Sequence, residues 1–320
     1  MNTLLYRYPE PIYRDKGCDI ARGIGIVLVV WGHLKSCPVH DEIFLFHMPL
    51  FFLLSGSFLS TKRNVKSFCL QKIRFLIGPF FVFYTASFIY GAIRSGYYNP
   101  MDYVHSLHGH LMAPNAPLWF LLSLFEVSLL AYFVEKFIAQ RFVKILIVLF
   151  VTLLGYYLSI NGIRIHGGVS QALLCYVFYQ IGYWIRCCRC SEYLSGNFIF
   201  LIVIMSGYIL GVVLNIKTDI NLSLINHTYI LFFIPALCGS LIVIYISNLC
   251  ANYRCLYWLA YLGRNSLLIM CTHIPLIITY YTLGNENELW GGLINLLILF
   301  PLSLGIGLLF KKYFSYFFKD

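Results

Sequence analysis

Two polar side chains stand eleven residues apart in an otherwise apolar run: Arg22 and His33, in the context Asp19-Ile20-Ala21-Arg22-Gly23, then Trp31-Gly32-His33. On a helix, eleven residues make three turns plus ~20°, so both side chains leave from one face, with a rise of roughly 16 Å between them. That face carries a permanent cation at one end and a titratable base well along it. An ionisable group inside a bilayer is costly and marks a functional site by default. Imidazole, which titrates near neutral pH, suits the removal of a proton from a hydroxyl, a poor nucleophile until activated. Arginine suits phosphate, which its planar fork grips at two oxygens. Taken singly, Arg22 reads equally as an anchor at a membrane edge and His33 as an interhelical hydrogen bonder. Asp19, one turn before Arg22, is placed to pair with it.

Three further groups qualify. His47, in Phe46-His47-Met48-Pro49-Leu50-Phe51-Phe52, follows a short connection, so a helical hairpin sets it at a depth similar to His33. Pro49 interrupts the local hydrogen-bond ladder, and Ser55-Gly56 permits close helix approach. Glu126 lies in the middle of a later apolar run with no charged partner on its own helix. His273 lies nine residues past Arg264, roughly 13 Å of straight-helix rise. Both reach the depth of His33 if their helices are neighbours, and Glu126 would then fix a histidine tautomer. His47, Glu126 and His273 are accordingly read as orienting or proton-handling groups. Of two other clusters, His105, His108 and His110 have a spacing that hints at a metal but no carboxylate or thiol close enough to complete a site, and Cys187, Cys188 and Cys190 match no standard zinc pattern. No metal is expected, and the thiols read as reduced.

The elements that must hold these residues are hydrophobic helices. Apolar residues make up 60% of the chain and charged ones only 11%, with mean hydropathy +0.76, where a soluble domain carries about 25% charged. Apolar runs near 20–37, 43–60, 73–93, 117–138, 143–160, 169–186, 197–216, 228–248, 261–283 and 289–310 approach the ~20 residues that cross a bilayer. With the N-terminus placed in the cytoplasm, all but Lys35, Arg94, Arg164 and Lys217 of the 23 basic residues fall on the cytoplasmic side. The expected fold is all-α: a polytopic membrane bundle of about ten transmembrane helices with both termini cytoplasmic. It divides into a tail over 1–19, one transmembrane domain over 20–310 and a short tail over 311–320. The first 19 residues are polar and no small-residue cleavage site follows the first apolar run, so no cleavable signal is expected. The net charge of +10 is absorbed by this sidedness, and no nucleic-acid partner is implied.

The ordered set of short strings is itself recognisable. Arg22, ten residues, then His33; Phe46 to Leu59; Lys72-Ile73-Arg74 with Pro79; Pro117-Leu118-Trp119-Phe120-Leu121; and Gly263-Arg264-Asn265-Ser266-Leu267 with His273 together resemble acyltransferase family 3. These are membrane-bound O-acyltransferases, many of which acetylate sugars of bacterial surface polysaccharides. The string Phe46 to Phe52 is similar to the fucose 4-O-acetylase-like branch. The resemblance implies O-acetyl transfer from acetyl-CoA, as co-substrate, to a sugar hydroxyl of a surface or lipid-linked polysaccharide, in the bacterial cytoplasmic membrane. It implies His33 as base and Arg22, Arg74 and Arg63 as groups that hold the phosphates of CoA. Trp119 and the segment from Tyr97 to Ala116 are expected to help hold the acceptor, aromatic faces being suited to sugars. Two rivals remain: a transporter or flippase of a lipid-linked saccharide, and a sensor or assembly subunit without turnover.

Overall fold

Every one of these apolar runs folds as a helix, because backbone polar groups that cannot meet water must be satisfied within their own segment. A computed structural model describes residues 15–97, 99–108, 115–188, 197–282 and 289–318. The order is α1 (Lys16–Gly32), α2 (His40–Gly56), α3 (Val65–Lys72), a π-turn (Ile73–Ile77) running into α4 (Gly78–Ser95), and a short α5 (Pro100–His108). Next come α6 (Trp119–Phe137), entered through a 3-10 turn at Ala116–Leu118, then α7 (Arg141–Ile160), α8 (Val169–Cys187) and α9 (Phe198–Val213). A two-stranded hairpin follows, β1 (Thr218–Asp219) against β2 (Leu224–Ile225), antiparallel with Thr218 opposite Ile225. The last helices are α10 (Tyr229–Cys250), α11 (Tyr257–Arg264), α12 (Ser266–Thr282) and α13 (Leu289–Tyr313).

Among the described residues, five helices are long and apolar enough to cross a membrane: Val65–Ser95, Ala116–Phe137, Arg141–Ile160, Tyr229–Cys250 and Asn295–Tyr313. The bent pair α11–α12 makes a sixth if taken as one span. α1 and α2, at 17 residues each, and α9, at 16, lie at the short end for a crossing. The architecture is thus all-helical and multi-pass, with helices in each of the ten expected ranges and six long enough to count as spans by length and hydropathy.

Three ranges differ from expectation: the first helix ends at Gly32, not residue 37, so that His33 is its C-cap. The third helix begins at Val65, not residue 73, because Asn64 caps it by accepting from the Ser67 amide at 2.7 Å. The ninth is not straight: α11 and α12 meet at 70° around Asn265. There the Asn265 side chain donates to the Tyr261 carbonyl at 2.9 Å, while its own carbonyl accepts from Leu268 and Ile269 to start the next helix. The rise from Arg264 to His273 is therefore not that of one straight rod.

α1 sits inside the bundle, packed by α2, α10, α11 and α12. The contact with α11 is backbone on backbone. A Cβ on Gly23 would lie 2.0 Å from the Leu259 carbonyl oxygen, and one on Gly263 would lie 1.8 Å from that of Asp19. α2 meets α8 in the same way through Gly56 and Gly182. Such crossings substitute close packing for a hydrophobic drive that lipid does not supply. At the periphery, α7 and α9 expose apolar side chains, among them Phe150, Leu153, Ile199 and Val213, as a lipid-facing surface would.

Candidate active site

The acidic residues, the arginine and the histidine of α1 and its caps fall on one stripe. Asp15, Asp19, Arg22, Ile26, Val29 and His33 are spaced four, three, four, three and four residues apart, the spacing of a single helical face. Asp15 caps the helix, accepting from the Gly17 and Cys18 amides at 2.8 and 3.3 Å. The stripe serves two cavities. Asp15, Asp19 and Arg22 line a large one of about 1400 Å³, and Val29 and His33 line a smaller one of about 330 Å³. Ile26, fully buried, stands between.

The larger cavity is basic and open. Arg22, Arg63, Lys72 and Arg74 line it, with Ser60, Ser67 and Gln71. The Arg22 guanidinium lies 4.5 Å from the centre of the Phe58 ring, and Arg186 from α8 approaches the same ring at 5.5 Å while donating to the Ser57 carbonyl. Arg74 belongs to the π-turn, a helix irregularity that frequently marks functional positions. It donates to the Tyr316 carbonyl and lies 4.3 Å from the centre of the Tyr316 ring. Arg63 is held by its backbone, whose carbonyl accepts from Tyr132 Oη at 2.7 Å and from Lys136. All three arginines expected at the donor end therefore share one cavity, and Lys72 joins them.

The smaller cavity is built of imidazoles and aromatic rings. His33 and His47 line it together, as the helical hairpin predicts, with Phe44, Phe51, Trp119 and Phe120. The His273 ring lies edge-on to His33, 5.0 Å between centroids. Each histidine is tethered the same way: Nδ1 of His33 to the Val29 carbonyl (2.7 Å), of His47 to Ile43 (3.0 Å), and of His273 to Met270 (2.8 Å). A carbonyl can only accept, so each Nδ1 carries the hydrogen, and the lone pair is on Nε2. In His33 that is the tautomer a base needs. Nε2 of His273 is buried and without a hydrogen-bond partner among the described residues. Asn115, fully buried, donates to Ser87 Oγ (2.9 Å) and to the Cys271 carbonyl (2.7 Å), which anchors the turn leading to Trp119.

Glu126 is the correction. Expected to fix a histidine tautomer, it does not, because backbone carbonyls take that role for all three histidines. Its Oε1 lies 3.7 Å from where a Cβ on Gly167 would sit, and its buried Oε2 has no hydrogen-bond partner among the described residues. Of the loop histidines, His105 is exposed, the side chain of His108 is not among those described, and His110 lies outside the described residues. Cys187 ends α8 and Cys188 caps it, neither in a disulfide among the described residues, and Cys190 lies outside the described residues. No group of three His, Cys, Asp or Glu among the described residues is placed to hold a metal ion.

Three residues of the smaller cavity escaped sequence reasoning. His40 lines its rim, with Nδ1 on the Gly32 carbonyl at 2.7 Å and its ring stacked 3.9 Å from Phe44. The signal existed: His40, Phe44, His47 and Phe51 form a stripe on α2 like that on α1. Asp219 and Asn221 come from the β1–β2 hairpin, 186 and more residues from His33 in sequence, and no local pattern announces them.

Comparison with curated proteins and with solved structures gave no match. A family model described as an acyltransferase domain, Acyl_transf_3, matches residues 15–312, which takes in the smaller cavity and all of the larger one's lining except Tyr316 and Phe317. By that match over nearly its whole length, the chain belongs to acyltransferase family 3.

Proposed function

We propose that the chain is a membrane-embedded O-acyltransferase that moves an acetyl group from acetyl-CoA, held in the basic cavity on the cytoplasmic side, to a sugar hydroxyl in the histidine cavity on the opposite side. The acceptor is a surface or lipid-linked polysaccharide of a bacterial cell, and the membrane its cytoplasmic one. The observation that carries this reading is the α1 stripe, which joins Arg22 in one cavity to His33 in the other.

The chemistry follows from the charges. Guanidinium groups at Arg22, Arg63 and Arg74, with Lys72, match the phosphates of CoA. The pantetheine arm then passes from one cavity to the other by displacing the buried Ile26 side chain, and brings the thioester to His33. Nε2 of His33 takes the proton of the acceptor hydroxyl as its oxygen bonds to the acyl carbon. The carbon–sulfur bond breaks, and the imidazolium returns the proton to the CoA thiolate, leaving ester and free thiol. His47 and His273 set the orientation of the His33 ring and the polarity around it, and Trp119 gives the sugar a flat face.

Purified protein in lipid nanodiscs, supplied with acetyl-labelled acetyl-CoA and a saccharide acceptor, is expected to transfer the label. In cells, the surface glycan should gain the mass of one acetyl group per modified sugar only when the gene is present. Saccharide movement across the bilayer with no ester formed would replace this reading with the flippase.

A further inference from the structure

The β1–β2 hairpin is held over the histidine cavity more firmly than a connecting loop needs to be. Ile216 and Ile220 are buried, Gln171 donates to the Asn221 carbonyl at 2.6 Å, and Ser159 donates to the Ser223 carbonyl. Asn226 closes the base, accepting from the Lys217 amide at 2.9 Å and donating to the Asn215 carbonyl at 3.2 Å. Asp219, Ile220 and Asn221 of this turn line the cavity, and the first and last of them are polar. Asp219 Oδ1 accepts from the Leu222 amide at 3.2 Å, which fixes the carboxylate. Asn221 Oδ1 is buried and has no hydrogen-bond partner among the described residues. A buried acceptor without a donor is costly unless a ligand supplies one.

We infer that Asp219 and Asn221 select the acceptor. Both present hydrogen-bond acceptors, so both call for donors, and neighbouring hydroxyls of one sugar ring supply two. The carboxylate also disfavours a negatively charged ring. The acceptor is then a neutral saccharide unit, not a uronic or sialic acid, entering a cavity whose volume lies at the small end of the ~300–1,000 Å³ range of small-molecule sites. This inference rests on the acyl-transfer reading and names the acceptor class for that same site.

The test uses full-length protein in nanodiscs with labelled acetyl-CoA and a panel of p-nitrophenyl glycosides, neutral hexosides and deoxyhexosides beside glucuronides. The wild type is expected to acetylate neutral glycosides only. Asp219→Ala should raise the acceptor KM at least about tenfold and Asn221→Ala by several-fold, the loss of one hydrogen bond each, with the KM for acetyl-CoA unchanged. Asp219→Asn retains an oxygen for the Leu222 amide, so the turn persists; it should narrow the preference against the glucuronide. Leu224→Ala, on the exposed strand of the same hairpin, should leave all constants as they are. Transfer by the wild type with unchanged acceptor KM and unchanged panel ranking in Asp219→Ala and Asp219→Asn overturns the inference alone. Absence of His33-dependent transfer to every glycoside by the wild type defeats the acyl-transfer reading and this inference with it.

Discussion

At one end of α1 the chain gathers Arg22, Arg63, Lys72 and Arg74 around about 1400 Å³ of open space; at the other it closes His33, His40 and His47 with aromatic rings around about 330 Å³. The difference follows from what each side chain costs to bury. A guanidinium cannot shed its charge, so its place is a wide mouth where cation–π and carbonyl contacts hold it. A neutral imidazole needs only its one N–H satisfied. His47 and His273 are 3% and 1% exposed, and each gives its Nδ1 hydrogen to a carbonyl of its own helix. In the proposed reading, binding by charge and chemistry by a neutral base occupy separate ends of one helix. Ile26 divides them.

Breaking the histidine end should have the largest effect. His33→Ala is expected to lower kcat by ~10²- to 10⁴-fold, the range of a lost general base, with the Kd of acetyl-CoA by calorimetry unchanged. A weakened Kd with normal kcat would place His33 in binding instead. At the basic end the pattern should invert: Arg22→Ala or Arg74→Ala raises the KM for acetyl-CoA by ~10- to 100-fold, as expected for one charge-assisted contact. Arg74→Lys should recover part of that, since charge remains and the planar fork does not.

The helix joining the two ends is open to a subtler break. Gly23→Ala forces a methyl into the Leu259 carbonyl oxygen and should destabilise by ~1–3 kcal/mol, read as a lower melting temperature in detergent. Both cavities should be disturbed together, so kcat and donor KM change in one variant. The smallest effect belongs to the exposed pair Lys217 with Asp41, 2.7 Å apart at the base of the hairpin. The hydrogen bond and charge of Asp41 raise the Lys217 pKa. Whatever the pair contributes is thus complete below the ordinary lysine value and lost only as pH rises through the raised one. Lys217→Gln should leave the melting temperature unchanged near neutral pH, because exposed pairs contribute little.

Much of this comparison is visible in the residues themselves. The helices are legible because apolar runs of spanning length have few alternatives, and the Arg22–His33 face is legible because helix geometry fixes it. The shared depth of His33 and His47 follows from the short turn between them. What could not be read was tertiary. Asn265 bends the ninth range through its own side-chain hydrogen bond, which a hydropathy count cannot see. Glu126 looked like a partner for histidine, yet its helix rotates it toward Gly167, and carbonyls three or four residues back had already taken the Nδ1 hydrogens. Asp219 and Asn221 reach the cavity only because the hairpin folds back over it.

Proteoliposomes of fixed orientation test the two-ended account most directly, with labelled acetyl-CoA confined to the face that bears Arg22 and a neutral glycoside confined to the other. Labelled ester should form on the glycoside side in the wild type and be absent with His33→Ala. Ester formation only when both substrates share one face would mean that a single cavity does both tasks.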